Sequence, residues 1–85
     1  MSRPTQPTQP KLRKDIAAVK RAMVGKGWQT LWVIGSRVFS SSRMLMEPQT
    51  VSARVRDLRK EQYGGHDVQR RYAGNGIYEY KLFRK

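Results

Sequence analysis

Residues 47–62 read EPQTVSARVRDLRKEQ, and this stretch has the strongest helix pattern in the 85-residue chain. Pro48 suits the first turn of a helix, because a backbone amide there has no intrahelical partner to lose. No glycine or further proline interrupts the stretch, and Val51, Val55 and Leu58 fall at i, i+4 and i+7 on one face. The pattern predicts one helix whose apolar face is buried.

The opposite face of this helix, which is predicted to span residues 48–62, carries residue types that suit DNA. Amides, hydroxyls and cations can pair with base edges and phosphates, and the small side chain of Ala53 lets the backbone approach a groove. For one amphipathic helix taken alone, a solvated surface is the competing interpretation. The candidate DNA-binding residues of the helix are Gln49, Thr50, Ser52, Arg56, Arg59 and Lys60.

Two strand patterns, residues 67–72 and 77–83, follow the helix and flank a Gly-Asn-Gly sequence at residues 74–76. A two-residue turn would set Val68 on the face opposite the tyrosines of the second strand. A three-residue loop instead pairs Val68 with Leu82 and collects the apolar side chains on one face, so we prefer this register. Its other pairs are Arg70 with Tyr80 and Tyr72 with Tyr78.

A helix followed by a basic hairpin is the second half of a winged helix-turn-helix. The sequence therefore predicts an α+β fold with three helices plus a small antiparallel sheet, in which the C-terminal β-hairpin, residues 67–83, is the wing. Polar and basic side chains of a wing contact the DNA backbone or the adjacent minor groove. The candidates here are Arg70, Arg71, Asn75 and Lys81.

Two shorter helices are predicted before the recognition helix. Apolar residues recur at helical spacing over residues 11–24, and Thr30 can cap a second helix that runs to about Val38. The serine-rich segment 39–47 is then a long turn, and Trp28 is expected to fill the core beneath the sheet. The predicted buried residues are Leu12, Ile16, Val19 and Met23 in the first helix and Leu31, Ile34 and Val38 in the second.

Length and composition fit one small domain with a tail. Residues 1–10 alternate Pro, Thr and Gln with little to bury, which predicts a disordered N-terminal arm, and residues 11–85 form the winged helix-turn-helix domain. Lys and Arg number 18 against 6 Asp and Glu, and the net charge of +12 favours a polyanionic partner such as nucleic acid. The charge is spread along the chain, so any specific site depends on where the cations are placed.

Enzymatic and metal chemistry find little support in the residue types. The chain has no cysteine, its six carboxylates are scattered, and His66 is the single histidine. Asp57 and Glu61 at i, i+4 form a formal magnesium pair, but pairing with the neighbouring Arg54 and Lys60 is the favoured interpretation. We expect no enzyme activity, no cofactor, no catalytic or metal-binding residue and, for want of a long apolar run, no membrane segment.

Three runs of the sequence resemble a family of small winged helix-turn-helix proteins found in phages, prophages and their bacterial hosts: GKGWQTLWVIG, TVSARVRDLRKEQYGGHDVQRR and GIYEYKL. The similarity covers about residues 15–83, and SARVRDLRK, GGH and YEYKL are its most specific parts. The resemblance implies a three-helix domain with a small sheet, a DNA-binding or regulatory role, and a nucleoid-associated location in the bacterial host cytoplasm. The sequence departs from the family pattern in the segment 39–46.

The expected function is to bind double-stranded DNA as a phage or prophage transcriptional regulator or DNA-architecture factor, with helix 48–62 in the major groove. The protein is expected to be a monomer or a weak homodimer, and cooperative binding on DNA stays open. A second hypothesis is a protein-interaction module on the same fold that binds a host or phage protein. Its surface would include Trp32, Met44 and Met46. RNA binding is a weaker alternative, because the tyrosines of the hairpin are expected to turn inward.

Overall fold

The computed structural model describes the backbone of residues 10–83 and the side chains of residues 12–83. Within this part of the chain, three α-helices and a short 3₁₀ turn precede a two-stranded antiparallel sheet. The elements are α1 (Pro10–Met23), α2 (Leu31–Ser42), α3 (Pro48–Leu58), the 3₁₀ turn (Glu61–Tyr63), β1 (Asp67–Gly74) and β2 (Ile77–Phe83). This is the predicted α+β winged-helix layout. Apart from Pro10, the predicted arm lies outside the described residues.

Each helix buries the apolar face that its spacing predicts, and the base of the hairpin closes the core. α3 packs against both α1 and α2, so its opposite face points outward. Among residues 10–83, no helix combines the length and the apolar composition needed to cross a membrane. The buried core consists of Ile16, Ala18, Val19, Ala22, Met23, Ile34, Val38, Val51, Val55, Leu58, Val68 and Leu82, with Leu12 and Leu31 packed at its edge.

α2 begins where the sequence predicts but ends later. Thr30 caps the helix, and its Oγ1 accepts a hydrogen bond from the amide three residues on at 3.2 Å. The helix continues through the serines to Ser42, so the prediction of a long turn is wrong. Ser41 Oγ donates to the Arg37 carbonyl at 2.9 Å, a bond that satisfies a serine hydroxyl inside a helix. The turn before α3 is therefore limited to residues 43–47.

α3 ends at Leu58, well before the predicted end of the helix. Lys60 has an extended backbone with ψ 140, and Gly64 and Gly65 have positive φ values of 110 and 53. These glycines turn the chain back, so that the amide of His66 donates to the Leu58 carbonyl at 2.8 Å. Because the residues after Leu58 include good helix formers, the spacing alone did not reveal this end.

β1 and β2 pair in the predicted register, although the turn is shorter than predicted. The observed pairs include Val68 with Leu82, Arg70 with Tyr80 and Tyr72 with Tyr78. The turn has two residues, Asn75 and Gly76, whose φ values of 52 and 73 are the combination of a type I′ turn. An irregularity between Tyr72 and Gly74 adds one residue to β1. This bulge restores the register that a three-residue loop would give.

One further residue extends the sheet along the free edge of β2. The Gln29 amide donates to the Tyr80 carbonyl at 3.0 Å, and the Tyr80 amide donates to the Gln29 carbonyl at 2.8 Å. Gln29 is buried, so strand alternation turns Trp28 to the other face of the sheet. There its ring meets Phe83 edge-on at 5.9 Å, and the guanidinium of Arg71 lies 4.5 Å from the ring centre. The expectation that Trp28 fills the core beneath the sheet is wrong.

Candidate nucleic-acid interface

A groove of about 210 Å³ lies between the outward side of α3 and the inner face of the hairpin. The two elements meet there because the apolar face of α3 and the base of β1 share one core. Helical spacing aims part of α3 toward the hairpin, and strand alternation aims every second residue of β1 toward α3. The lining residues are Ser52, Val55, Arg56, Arg59, Arg70 and Tyr80.

The three arginines of this groove are held in different ways. Arg59 Nε donates to the Val68 carbonyl at 2.9 Å, so its guanidinium links α3 to β1. The guanidinium of Arg70 lies 4.5 Å from the centre of the Tyr78 ring, a cation–π contact. Arg56 is exposed, and no acceptor among the described residues binds it. Two guanidinium groups are thus positioned by the fold, while the third is free to adapt to a ligand.

Positive charge in the groove is not neutralised by its own lining. No carboxylate is among the described residues that line it. The nearest acidic side chain on α3, Asp57, lies 3.1 Å from Arg54 Nε and 3.1 Å from Lys60 Nζ. Guanidinium groups bind phosphate and the guanine edge with paired hydrogen bonds, so three of them around one groove suit a nucleic acid.

The remaining predicted residues of α3 and its C-terminal turn divide between the exposed face and its flank. Gln49 is exposed at i−7 from Arg56 and therefore continues the same helix face toward the N-terminus, with its Nε2 donating to Glu47 Oε1 at 3.1 Å. Thr50 is half-buried. Lys60 follows the end of α3 and is exposed, although it pairs with Asp57. Gln49 therefore belongs to the same surface as Arg56, whereas Thr50 and Lys60 lie at the margin of that surface.

The predicted residues of the hairpin lie on two faces and at the tip. Arg71 Nε lies 2.8 Å from Glu79 Oε1 on the face away from α3. Lys81 is on that same face, with its Nζ 4.9 Å from the centre of the Phe83 ring. Asn75 is exposed in the turn. Of the predicted wing residues, only Arg70 lines the groove, and the other basic ones face away from it.

The main feature that the sequence analysis missed is the exposure of two tyrosines near the hairpin tip. Tyr72 is 59% exposed and Tyr78 is 40% exposed, so the expectation that they turn inward is wrong. They lie on the face that carries Val68 and Leu82, but nearer the turn than these two core residues. The length of the strands could have revealed this exposure. The two core residues of the hairpin, Val68 and Leu82, lie at the end of the strands away from the turn.

A second, apolar groove of about 440 Å³ lies between α2 and the turn that precedes α3. Of the predicted interface residues, Trp32 and Met46 line this groove, whereas Met44 does not and instead packs against the core. Leu45, which lies between the two predicted methionines and is 88% exposed, also lines it, and so does Phe39, which is 42% exposed and was not predicted. Phe39 was missed because the sequence predicted that α2 ends at about Val38, which placed Phe39 in a turn and not on the helix.

Of the residues considered for metal binding, Asp57 is engaged in ion pairs. The buried carboxylate of Asp57 is held by Arg54 and Lys60, as the favoured interpretation of the sequence proposed. In the part of the chain that the structure describes, no three side chains of His, Cys, Asp or Glu come together as metal ligands.

No protein-family model, curated protein or solved structure matches this chain. The resemblance to small phage and prophage proteins is therefore still an expectation, and function must be argued from the geometry of the grooves.

Proposed function

We propose that the protein binds double-stranded DNA, with α3 in the major groove and the hairpin against the adjacent backbone. The observation that carries this proposal is the groove between α3 and the hairpin, where three arginines line one concave surface and no described lining residue is acidic. The net charge of +12 adds long-range attraction to any polyanion. The groove adds what charge alone lacks, which is a defined arrangement of donors.

The arrangement divides naturally between base contacts and phosphate contacts. Gln49, Ser52 and Arg56 share the outward face of α3, and these are side chains that pair with adenine and guanine edges. An α-helix is about as wide as the major groove of B-form DNA, which lets such a face reach the bases. Arg59 and Arg70 are anchored beside the helix, where phosphates of the groove wall would lie. In this role the protein is a transcriptional regulator or a DNA-architecture factor of the phage or prophage type.

The experiment is a fluorescence anisotropy titration of labelled random duplex DNA, single-stranded DNA and double-stranded RNA across a series of salt concentrations. The expected result is a preference for duplex DNA, with log K falling against log salt by about 0.9 for each phosphate neutralised. Equal, weak binding to all three ligands would contradict the proposal. A net charge of +12 without a shaped site attracts all three nucleic acids without selecting among them.

The second candidate is a protein-interaction module for a host or phage protein, and the apolar groove beside α2 favours it. Trp32 is 63% exposed there and Leu45 is 88% exposed, and large exposed apolar side chains mark partner surfaces. The same titration separates the two functions. Binding of a protein partner through an apolar groove depends little on salt, and a protein with only that function would bind none of the three nucleic acids selectively.

A further inference from the structure

The outer half of the hairpin presents aromatic rings to solvent on the same face that lines the arginine groove. Strand alternation puts Arg70 and Tyr72 on one face of β1, and their partners Tyr80 and Tyr78 on the same face of β2. Tyr80 and Arg70 line the groove, whereas Tyr72 and Tyr78 lie nearer the tip and are exposed. The basic groove therefore leads directly onto an aromatic surface.

The two exposed rings are held in place rather than mobile. The ring centres of Tyr72 and Tyr78 are 5.3 Å apart at an interplanar angle of 63°, an edge-to-face pair. The Tyr72 hydroxyl accepts a hydrogen bond from the Gly76 amide at 2.8 Å, which ties the more exposed ring to the turn. Arg70 covers part of Tyr78 from the groove side. A ring that is already oriented loses little conformational entropy when a ligand stacks on it.

A purely structural role explains part of this arrangement. A hairpin that extends beyond its core needs cross-strand pairs, and an edge-to-face tyrosine pair supplies one. That role does not require Tyr72 to be 59% exposed next to Tyr78, the ring against which the guanidinium of the groove residue Arg70 lies. Aromatic side chains next to cationic grooves are the arrangement on which single-stranded nucleic acids stack their bases.

The distance between Arg70 and Tyr72 along β1 is similar to the distance between successive nucleotides of a strand that leaves the groove. Residues two apart on a strand are separated by about 7 Å, which is similar to one nucleotide step of an extended strand. A phosphate bound at Arg70 would place the next unpaired base beside the tyrosine pair. A fully paired duplex has no free base to offer there.

We propose that the tyrosine pair is a stacking site for an unpaired DNA base, and that the preferred ligand is a duplex with an adjoining single-stranded segment. This inference rests on the proposed binding of duplex DNA by the arginine groove. It adds the substrate class, which is a junction between double-stranded and single-stranded DNA.

The test measures the affinity of the full chain for four labelled ligands by fluorescence anisotropy. These are a blunt duplex, the same duplex with a short thymidine overhang, the same duplex with an abasic overhang of equal length, and the overhang strand alone. The abasic overhang carries the same phosphates without bases, so it controls for charge. The thymidine overhang is expected to bind roughly five-fold or more tightly than the abasic one. A 2-aminopurine base in the overhang should lose fluorescence on binding as it stacks on a ring.

Variants locate the effect. Tyr72→Phe keeps the ring and should keep the preference for thymidine over the abasic overhang, whereas Tyr72→Ala should lose most of it. Trp32→Ala removes a similarly exposed aromatic ring on α2 and should leave the preference unchanged. The affinity for the blunt duplex shows that each variant is still folded and active.

The outcomes of this test separate this inference from the proposed function. If the blunt duplex binds but thymidine and abasic overhangs bind equally, the stacking site is wrong and duplex binding stands. If the single strand alone binds as tightly as the junction, the proposed preference for a junction is wrong. If none of the DNA ligands binds, both proposals are overturned.

Discussion

Arginine side chains of equal charge have different surroundings in this fold, and their surroundings decide what each can do. Arg56 projects from the outward face of α3 and has no acceptor among the described residues. Arg59 donates to the Val68 carbonyl, so part of its hydrogen-bonding capacity already holds α3 and β1 together. Arg71 is bound to Glu79 on the other face of the hairpin. Only the first of these is fully available to read a base.

Arg56→Ala and Arg71→Ala distinguish a base contact from a contribution of charge alone, when both variants are measured on a site selected from random duplex DNA. Arg56→Ala should cost about 1–3 kcal/mol on the selected site and bring its affinity closer to that of random duplex, because a contact to a base edge is lost. Arg71→Ala should weaken selected and random duplexes by the same small factor, because it removes charge and no base contact. Competition anisotropy measures both. Unchanged affinities for both variants would show that the reading face is misplaced.

At the scale of elements, the spacing of apolar residues predicted which faces are buried and how the two strands pair. Val51, Val55 and Leu58 had to share one face, and the pairing of Val68 with Leu82 had to bring the hairpin onto that core. The register was therefore predictable without knowing how the turn achieves it.

Features that depend on individual hydrogen bonds were not predictable from spacing. The end of α2 beyond its serines lies where Arg43 adopts a left-handed backbone and its amide donates to the Phe39 carbonyl. The early end of α3 depends on a bond to the Leu58 carbonyl from beyond two glycines. The bulge before Gly74 accompanies the two-residue turn, and the exposure of Tyr72 follows from its distance along the strand from the core residues Val68 and Leu82.

The turn of the hairpin should tolerate a side chain at Gly76 only at the cost of backbone strain. Gly76 has a φ of 73, and a Cβ there would meet no atom within 4 Å, so Gly76→Ala costs only the strain of a left-handed backbone. That strain is about 1 kcal/mol, which lowers the melting temperature of a domain of this size by roughly 4–8 °C. Gly27→Ala is the matched control, because Gly27 also has open space around it but no positive φ. Thermal unfolding followed by circular dichroism compares them, and equal melting temperatures would contradict the type I′ turn.

At the scale of the whole molecule, two grooves of opposite character share one small domain. The basic groove between α3 and the hairpin and the apolar groove beside α2 have no lining residue in common. Substitutions in one groove should therefore leave the other intact, since effects at separate sites add. Two explanations of DNA binding must also be distinguished. Either the basic groove binds DNA as a defined site, or the net charge of +12 attracts DNA without one.

Two double variants of equal charge distinguish a defined site from general attraction. Arg59→Gln with Arg70→Gln removes the two groove cations that are assigned to phosphates, and Lys14→Gln with Lys20→Gln removes two exposed cations from α1. If DNA lies in the groove, the first pair should reduce the salt slope of duplex binding by about two, because each lost phosphate contact lowers it by about one. The second pair should leave the slope nearly unchanged, because long-range charge alters the affinity without removing a contact. Anisotropy titrations in a salt series measure both slopes, and equal reductions in the two variants would mean that the protein binds DNA as a polycation without a defined site.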